Sequence, residues 1–271
     1  MSNNFRYKKA LGQNFITDLN LLRAIVGDAG VKNGDTVVEI GVGAGGLTLA
    51  LSEVCGRVYG FEIDCGLKNI LGQTLKGRQN VEIIFRDVLE MSDAELREII
   101  GGGSFRVVAN LPYYVAMPMI MRFLESGLRV ESLTVMVQKE VAERVCARHN
   151  TKEYSSATLA VKVYADAKIT RIVGRNAFFP VPNVDSALLR LDVVPDKYKG
   201  LDRAKFLKLT NAAFAMRRKT LANNLTAAFG IDKAAAESAI ENAGFAKNVR
   251  GEALPIDGFI EVFKNLYAEN I

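Results

Sequence analysis

The sequence predicts an α/β protein: a mostly parallel sheet with one antiparallel edge and helices on both faces, followed by a small all-helical domain. Three observations support this prediction. Short runs rich in β-branched residues alternate with helical patterns through the first half of the chain, which is typical of a parallel sheet. Later β-rich runs follow one another closely, which favours antiparallel pairing at one edge of the sheet. The C-terminal part of the chain has only helical patterning.

The individual strands and helices follow from this alternation. Strands of the parallel sheet are expected at Thr36–Gly41, Arg57–Glu62, Val81–Phe85, Phe105–Asn110 and Leu133–Gln138. Helices between them are expected around Leu47–Val54, Cys65–Leu75, Asp93–Ile100 and Pro118–Gly127. The later strands are expected at Leu159–Tyr164, Lys168–Val173 and Ser186–Val194.

A second domain is expected after the polar, turn-rich segment at residues 195–200. We therefore expect one domain at residues 1–195 and another at residues 196–271. Helices of the second domain are expected at Asp202–Leu225, Asp232–Asn242 and Ile256–Tyr267. The expected helix N-caps are Asp232 and Asp257, and the expected helix stops are Gly230 and Gly244.

The composition limits the classes of function. Of the 271 residues, 35 are Lys or Arg and 30 are Asp or Glu, and the formal net charge of +5 suits a polyanionic partner. His149 is the only histidine and the three cysteines form no CxxC pair, so neither a metal site nor a disulfide framework is expected. The N-terminus lacks the apolar core of a secretory signal, and no run approaches the roughly 18 apolar residues of a membrane span. We therefore expect a cytoplasmic protein with no membrane partner.

A glycine-rich turn indicates a ligand site. The segment from Val37 to Thr48 is VVEIGVGAGGLT, a buried strand followed by a glycine turn and the start of a helix. Glycines let the backbone approach a ligand closely, and a helix start offers free N–H groups. Because Gly41, Gly43 and Gly46 also satisfy the dinucleotide pattern GxGxxG, a nicotinamide enzyme remains open, as does a tight turn that binds nothing.

Acidic residues end the next two strands. Glu62 lies about 20 residues beyond the glycines, where a carboxylate can accept hydrogen bonds from both hydroxyls of a ribose. Asp87 ends the third strand, beside Val88, and is placed to contact an adenine amine. This series resembles the Rossmann-like, class I methyltransferases that use S-adenosylmethionine. In that class, a residue at the position of Glu39 is usually structural.

The segment that indicates the chemistry is Val108–Tyr114, VANLPYY, in which a strand ends at Asn110 and Pro112 stiffens the turn. An adenine amine is a poor nucleophile because its lone pair is delocalised into the ring. The Asn110 side-chain oxygen and the Leu111 carbonyl can accept its two N–H groups, and Tyr113 can stack on the base. Alone, the segment is equally consistent with a prolyl turn and packed tyrosines. After the acidic series, it resembles the signature of N6-adenine and related amino-methyltransferases.

Further segments resemble the KsgA-type small-subunit ribosomal RNA adenine dimethyltransferases. They are Lys8–Ile16, Gln138–Arg144, Phe178–Ser186 and Ala213–Leu221, in order along nearly the whole chain. The resemblance implies S-adenosylmethionine as the cofactor. The implied cofactor-binding residues are Asn14, Ile16, Gly41, Gly43, Glu62, Asp87, Val88 and Asn110. The implied catalytic residues are Asn110, Leu111, Pro112, Tyr113 and Phe179, with Phe179 and Tyr113 on opposite faces of the target base.

The resemblance also implies a substrate. The reaction would be dimethylation of the N6 amine of two adjacent adenosines near the 3′ end of 16S ribosomal RNA, within the assembling small (30S) subunit. Separately from the resemblance, we expect the protein to be a monomer. Arg217, Arg218 and Lys219, on a helix of the small domain, are the first candidates for phosphate contacts. The other expected RNA contacts are Arg144, Arg148 and Lys247.

Several alternatives remain beside this interpretation. An Erm-type methylase would act on 23S ribosomal RNA instead, and a ribosome-assembly factor could keep the fold without catalysis. A nicotinamide dehydrogenase is the weakest alternative, because nothing supplies a hydride-transfer acid or base. The departures from the family pattern concern loops: Val42 replaces a proline, Arg86 replaces a glycine, and His149 and Asn150 replace a Pro-Gly pair.

Overall fold

The computed structural model describes residues 14–267, so the part of Lys8–Ile16 that precedes Asn14 lies outside the described residues. The strands are β1 Phe15–Ile16, β2 Thr36–Ile40, β3 Arg57–Phe61, β4 Val81–Ile84, β5 Phe105–Asn110, β6 Val130–Gln138, β7 Ala165–Val173, β8 Phe178–Phe179 and β9 Ser186–Val193. The helices of the first half are α1 Leu19–Asp28, α2 Gly46–Ser52, α3 Lys68–Thr74, α4 Asp93–Ile100 and α5 Ala116–Leu124. The later helices are α6 Lys139–Val145, α7 Ser156–Lys162, α8 Arg203–Ala213, α9 Leu221–Phe229, α10 Lys233–Asn242 and α11 Ile256–Tyr267.

The main sheet has seven strands in the order β4-β3-β2-β5-β6-β9-β7. The pairs β3/β4, β2/β3, β2/β5 and β5/β6 are parallel, whereas β6/β9 is antiparallel. Val37 and Val38 of β2 are both fully buried, although their side chains point to opposite faces, because helices cover both faces of a parallel sheet. The predicted fold class, a mostly parallel sheet with an antiparallel edge, is therefore confirmed.

A second, two-stranded sheet was not predicted. Strand β1 pairs antiparallel with β8, with Phe15 opposite Phe179 and Ile16 opposite Phe178. Phe178 is buried, whereas about half of Phe179 remains exposed. This small sheet fixes the segment around Asn14 to a segment far away in the sequence.

The chain forms two compact units, and the division differs from the predicted boundary. Residues 143–165 belong with residues 195–267, whereas residues 166–194 belong with the large sheet. Within the second unit, the buried Tyr154 donates a hydrogen bond to the Leu254 carbonyl (2.9 Å). Its ring also contacts Phe214 edge-on, at 5.7 Å between centroids. A single boundary after residue 195 is therefore wrong, because residues 143–165 pack against the C-terminal helices.

The strand expected at Leu159–Tyr164 is wrong, since most of it lies in α7. A short apolar run is compatible with either a buried strand or a buried helix, so the sequence pattern could not separate the two. The Thr158 hydroxyl accepts the Ser155 N–H at 3.1 Å and donates to the Arg144 carbonyl at 2.6 Å. These contacts begin the helix and attach it to α6.

The long helix expected at Asp202–Leu225 is interrupted at residues 214–220. The Thr220 side chain caps α9 by accepting the Asn223 N–H at 3.3 Å. The buried Asn224 amide donates to the carbonyl of Ala213 (2.8 Å), the last residue of α8, and to the carbonyl of Met216 (3.2 Å) in the turn. Consequently Arg217, Arg218 and Lys219 lie in a turn, and the prediction that they lie on a helix is wrong.

The predicted ends of the last helices are mostly confirmed. Asp232 caps α10 by accepting the Ala234 N–H at 3.1 Å. Gly230, with φ of 65°, ends α9 in the left-handed conformation that favours glycine, and Gly244 follows α10 with φ of 86°. Asp257 is not an N-cap, because it lies inside the first turn of α11. Within residues 14–267, no helix is long and apolar enough to cross a membrane.

Replacing Asn224 by alanine should destabilise the second unit. The substitution leaves the Ala213 carbonyl without its donor and removes one of the two donors to the Met216 carbonyl, and a lost buried hydrogen bond of this kind costs about 1–3 kcal/mol of free energy of unfolding. Chemical denaturation of Asn224→Ala against Asn223→Ala, a neighbour on the same helix that is not fully buried, measures this cost. Equal stability of the two variants would contradict the role of the Asn224 amide.

Candidate active site

Four parallel strands end at one edge of the sheet, and the predicted ligand-binding residues follow them. In the spatial order β4-β3-β2-β5, this edge carries Asp87, Glu62, Gly41 and Asn110. Adjacent parallel strands lie about 4.8 Å apart, so residues that follow neighbouring strands come close together. In an open α/β sheet, ligands bind at the carboxyl ends of the strands.

The glycine turn needs glycines for conformation and for space. Gly41, Gly43 and Gly45 have φ values of 74°, 59° and 86°, in the region that side chains disfavour. A Cβ atom on Gly43 would lie 2.8 Å from the ring of Phe15, and one on Gly41 would lie 3.7 Å from the Asn110 carbonyl oxygen. The glycine turn is therefore packed closely between β1 and the end of β5.

Glu62 is buried and held by backbone N–H groups. One carboxylate oxygen accepts the Gly43 N–H at 2.8 Å. The other oxygen accepts the N–H groups of Ile63 (2.9 Å) and Asp64 (2.8 Å). These bonds fix the carboxylate beside the glycine turn, with its position set before any ligand binds.

Asp87 lies three residues beyond the end of β4, and not at the strand end as expected. Its carboxylate accepts the Leu89 N–H at 2.9 Å and so begins the 3₁₀ turn Val88–Glu90. Val88, the first residue of this turn, is buried, whereas Asp87 itself is partly exposed. Its second carboxylate oxygen has no hydrogen bond to any residue between 14 and 267.

Asn110 has a side-chain amide whose orientation is determined by one contact. The Nδ2 atom donates to the backbone carbonyl of Asn14 at 2.8 Å. A carbonyl can only accept, so the donor end of the amide must face Asn14 and the Oδ1 end remains the acceptor. The carbonyl of the next residue, Leu111, accepts no backbone hydrogen bond within the described part of the chain. Two acceptors therefore remain at the end of β5.

Tyr113 lies in the 3₁₀ turn Tyr113–Val115, after Pro112, and is half-buried. Its hydroxyl is 2.8 Å from the hydroxyl of Ser186, which is fully buried at the start of β9. Phe179 is 51% exposed on β8, a large exposed area for an aromatic side chain. Ser186 of β9 thus holds the Tyr113 ring by its hydroxyl, and β8 presents a second ring.

Comparison with known proteins identifies the family. The profile of the ribosomal RNA adenine dimethylase family matches residues 4–267. The chain is 41% identical over 280 residues to Ribosomal RNA small subunit methyltransferase A of Streptococcus gordonii, covering 98% of this chain and 94% of that protein. It is 42% identical over 261 residues to the protein of the same name from Streptococcus pneumoniae serotype 2, covering 94% and 90%. The chain belongs to the ribosomal RNA adenine dimethylase family.

Two solved structures share the fold of this dimethylase. A dimethyladenosine transferase from Plasmodium falciparum matches with a TM-score of 0.82 at 22% identity, covering 95% of this chain and 98% of the other. The 23S rRNA methyltransferase ErmE matches with a TM-score of 0.72 at 24% identity, covering 93% and 99%. Sequence identities of 22% and 24% show a shared fold and nothing about a shared substrate.

The dimethylase family uses S-adenosylmethionine, and the residues at the sheet edge fit this cofactor. The glycines of the turn carry no side chains that would keep a ligand away from the backbone. The buried Glu62 carboxylate and the partly exposed Asp87 carboxylate are acceptors suited to hydroxyl and amine groups. The prediction of a methyltransferase that uses this cofactor is confirmed, and the nicotinamide alternative is excluded.

Glu39 is a buried acid beneath the glycine turn. It is 1% exposed, and burial raises the pKa of its carboxyl to about 8. The nearby Thr48 hydroxyl opposes this rise in pKa, and the negative charge of Glu62 adds to it. Glu39 Oε2 has no hydrogen-bond partner among residues 14–267, so the effect of burial on the pKa outweighs that of Thr48. The Glu39 carboxyl is therefore mostly protonated at neutral pH.

The basic residues expected to contact RNA lie in the second unit. Arg217 donates to the Lys152 carbonyl at 2.7 Å and lies 3.7 Å from the Glu252 carboxylate. In contrast, the exposed side chains of Arg218 and Lys219 make no hydrogen bond or ion pair with any residue from 14 to 267. The three neighbours therefore differ in their contacts, although nothing in the sequence distinguished them: Arg217 is bound within the unit, whereas the exposed side chains of Arg218 and Lys219 make no such contact with the described residues.

The remaining expected RNA contacts differ in their surroundings. Arg144 and Arg148 are exposed, at and after the end of α6. Lys247 forms an ion pair with Glu241 at 3.3 Å. The Asn150 N–H donates to the Glu252 carbonyl at 2.8 Å, and Asn150 has a left-handed φ of 64°. The loop that departs from the family pattern is thus anchored to the same segment that Arg217 contacts.

Sequence reasoning missed two residues of the site. Phe15 was passed over between Asn14 and Ile16, although its ring lies against Gly43. Ser186 was quoted only as the end of a family segment, although its hydroxyl contacts Tyr113. A partly buried position in a two-residue strand and a serine at a strand start carry no local signal, because their roles depend on distant partners.

Replacing Glu39 by glutamine should change how stability depends on pH. From the ordinary carboxyl pKa of 4.5 up to about 8, the folded protein keeps a proton that the unfolded chain releases. The free energy of unfolding contributed by Glu39 therefore falls as pH rises through this range, by about 1.4 kcal/mol per pH unit. Because Gln is neutral throughout, Glu39→Gln should gain stability relative to wild type as the pH rises.

Urea unfolding of both proteins from about pH 5 to about pH 8 measures this difference. Glu98→Gln, at an exposed position on α4, controls for the loss of one carboxyl group. A difference between wild type and Glu39→Gln that stays constant with pH would contradict a neutral Glu39 in the fold.

Proposed function

We propose that this enzyme transfers methyl groups to the N6 amines of two adjacent adenosines near the 3′ end of 16S ribosomal RNA. We propose that it acts as a monomer in the cytoplasm, on the assembling small (30S) subunit. The relatives at 41% and 42% identity are named for the small subunit, which favours this RNA over the 23S RNA named for ErmE. The observation that carries the chemistry is the fixed amide of Asn110, with Nδ2 committed to Asn14.

The proposed cofactor site consists of the residues at the carboxyl ends of β2–β5 and the segment at residues 14–16. Glu62 would bind the ribose hydroxyls and Asp87 the adenine amine, because both offer carboxylate oxygens at fixed positions. Val88 would support the adenine from below. The rest of the proposed set is Asn14 and Ile16 over the glycine turn, Gly41 and Gly43 within it, and Asn110 at its border.

The cofactor supplies an electrophilic methyl carbon bonded to a sulfonium. Asn110 Oδ1 and the Leu111 carbonyl would accept the two N–H groups of the target amine, since neither oxygen is otherwise used within the described part of the chain. Two acceptors at a pyramidal nitrogen draw its lone pair out of conjugation with the ring and aim it in one direction. Pro112 keeps Leu111 in place by restricting the backbone that follows it.

Aromatic rings would hold the target base. Tyr113 would stack on one face of the extruded adenine and Phe179 on the other. The exposed ring of Phe179 is suited to this role because it has surface available for a base. After one methylation the amine keeps one N–H, so one acceptor can still orient it, which is compatible with a second transfer.

The second unit would dock the RNA backbone. Arg218 and Lys219 would contact phosphates, because an unpaired exposed cation can release counterions from RNA. Arg217 would contribute mainly by holding the loop at Lys152 in place. Arg144, Arg148 and Lys247 would add further positive charge, and Lys247 would have to exchange Glu241 for a phosphate.

A methyl-transfer assay tests the proposed function. The enzyme, labelled S-adenosylmethionine and unmodified small subunits should yield dimethyladenosine at two adjacent positions near the 3′ end of 16S RNA. Asn110→Ala should lower the rate at least about a hundredfold, by removing an acceptor that orients the amine, while RNA affinity changes little. Label on large-subunit RNA would instead favour an Erm-type activity, and absence of label on both would favour a non-catalytic assembly factor.

A salt titration tests the docking role. The double variant Arg218→Ala with Lys219→Ala should bind small subunits more weakly, and the slope of log affinity against log salt should flatten by about 2. The double variant Lys208→Ala with Lys264→Ala removes the same charge from α8 and α11 of the same unit. An equal loss in both double variants would mean that net charge alone matters, and that result would contradict specific contacts at Arg218 and Lys219.

A further inference from the structure

Ser186 is a buried polar residue beside the proposed target site, and it has no role in the methyl transfer as proposed above. It is the first residue of β9 and is 0% exposed. Its hydroxyl lies 2.8 Å from the hydroxyl of Tyr113, at ordinary hydrogen-bond distance. This bond gives the buried serine a polar partner, and it gives the half-exposed tyrosine a fixed end.

The sheet itself fixes the position of Ser186. Ser186 pairs with Gln138 of β6, and Met136 of the same strand pairs with Asn110 of β5. Three hydrogen-bonded strands therefore connect the Ser186 hydroxyl to the Asn110 amide. Tyr113 follows Asn110 by three residues, in a turn outside the sheet. Its backbone is therefore less constrained than the backbones of Asn110 and Ser186, which lie in strands.

A tyrosine ring has two side-chain torsions, and a bond at its hydroxyl restrains both of them. Without this bond, the half-exposed ring of Tyr113 could swing while its backbone stayed in place. The position of a stacked base follows the ring beneath it. In alignment-controlled reactions, a displacement of about 1 Å can cost about a hundredfold in rate.

We infer that Ser186 is a positioning residue for methyl transfer: its hydroxyl holds the Tyr113 ring at the angle that places the target adenine against Asn110. This inference rests on the proposed function. The Ser186 side chain acts through Tyr113. It is fully buried, so RNA cannot reach it, and its hydroxyl bonds Tyr113 and not a cofactor-binding carboxylate. Its loss therefore lowers the rate of transfer from the assembled complex and leaves both binding steps nearly unchanged.

Single-turnover transfer with a double-mutant cycle tests this inference. Ser186→Ala and Tyr113→Phe each remove one side of the same hydrogen bond and should each slow transfer about 10- to 100-fold. The double variant should be no slower than the slower single variant, whereas independent effects would multiply. Ser186→Thr keeps the hydroxyl and should recover most of the lost rate. Dissociation constants for RNA and for S-adenosylmethionine should stay within about threefold of wild type.

A matched control separates positioning from stability of the strand. Ser132 is a buried serine at the other end of β6, where it pairs with Asp192 of β9 and contacts Arg106. Ser132→Ala should lower the thermal midpoint and leave the transfer rate unchanged. Should Ser186→Ala fail to fold, Tyr113→Phe and Ser186→Thr still carry the test, because Tyr113→Phe removes the hydrogen bond while keeping the buried serine, and Ser186→Thr keeps both hydroxyls.

The outcomes are distinct from those of the proposed function. If the wild-type enzyme transfers no methyl group, the proposed function fails. If wild type is active and Ser186→Ala or Tyr113→Phe transfers at the wild-type rate, the positioning role of Ser186 is wrong. Multiplicative losses in the double variant, or a loss seen only in RNA affinity, would overturn it equally.

Discussion

The parallel register of β2, β3, β4 and β5 is the constraint on which the site depends. Because these strands run in one direction, their carboxyl ends meet at a single edge, and whatever residue follows each strand arrives there. The chain uses this edge for Asp87, Glu62, the glycine turn and Asn110, which are far apart in sequence. A change of register in any one strand would move its residue along the edge by a strand step of about 3.3 Å, a distance comparable to a hydrogen bond.

Polar groups at this edge obtain their properties from the partners that the backbone supplies. Glu62 and Glu39 are both buried acids, yet Glu62 accepts three backbone N–H groups, whereas Glu39 Oε2 has no partner among residues 14–267. Burial then keeps the Glu39 carboxyl protonated. The backbone also determines the role of Asn110. The Asn110 Nδ2 group donates to the Asn14 carbonyl, which leaves Asn110 Oδ1 as an acceptor.

The second unit carries exposed positive charge on an ordered turn. Its turn at residues 214–220 is held by the buried amide of Asn224 beneath it and by Arg217 at its side. Arg218 and Lys219 can therefore remain exposed without making the turn irregular.

The sequence alone determined the features that depend on neighbouring residues. The buried strands, the glycine turn, the Asp232 cap and the position of Asn110 at a strand end are all local, because strand and turn preferences act over a few residues. Only the tertiary structure decided that Leu159–Tyr164 is mostly helical, that β1 pairs with β8 and that Ser186 meets Tyr113. Each of these depends on a partner distant in the chain, and a residue pattern contains no information about a contact until the fold brings both sides together.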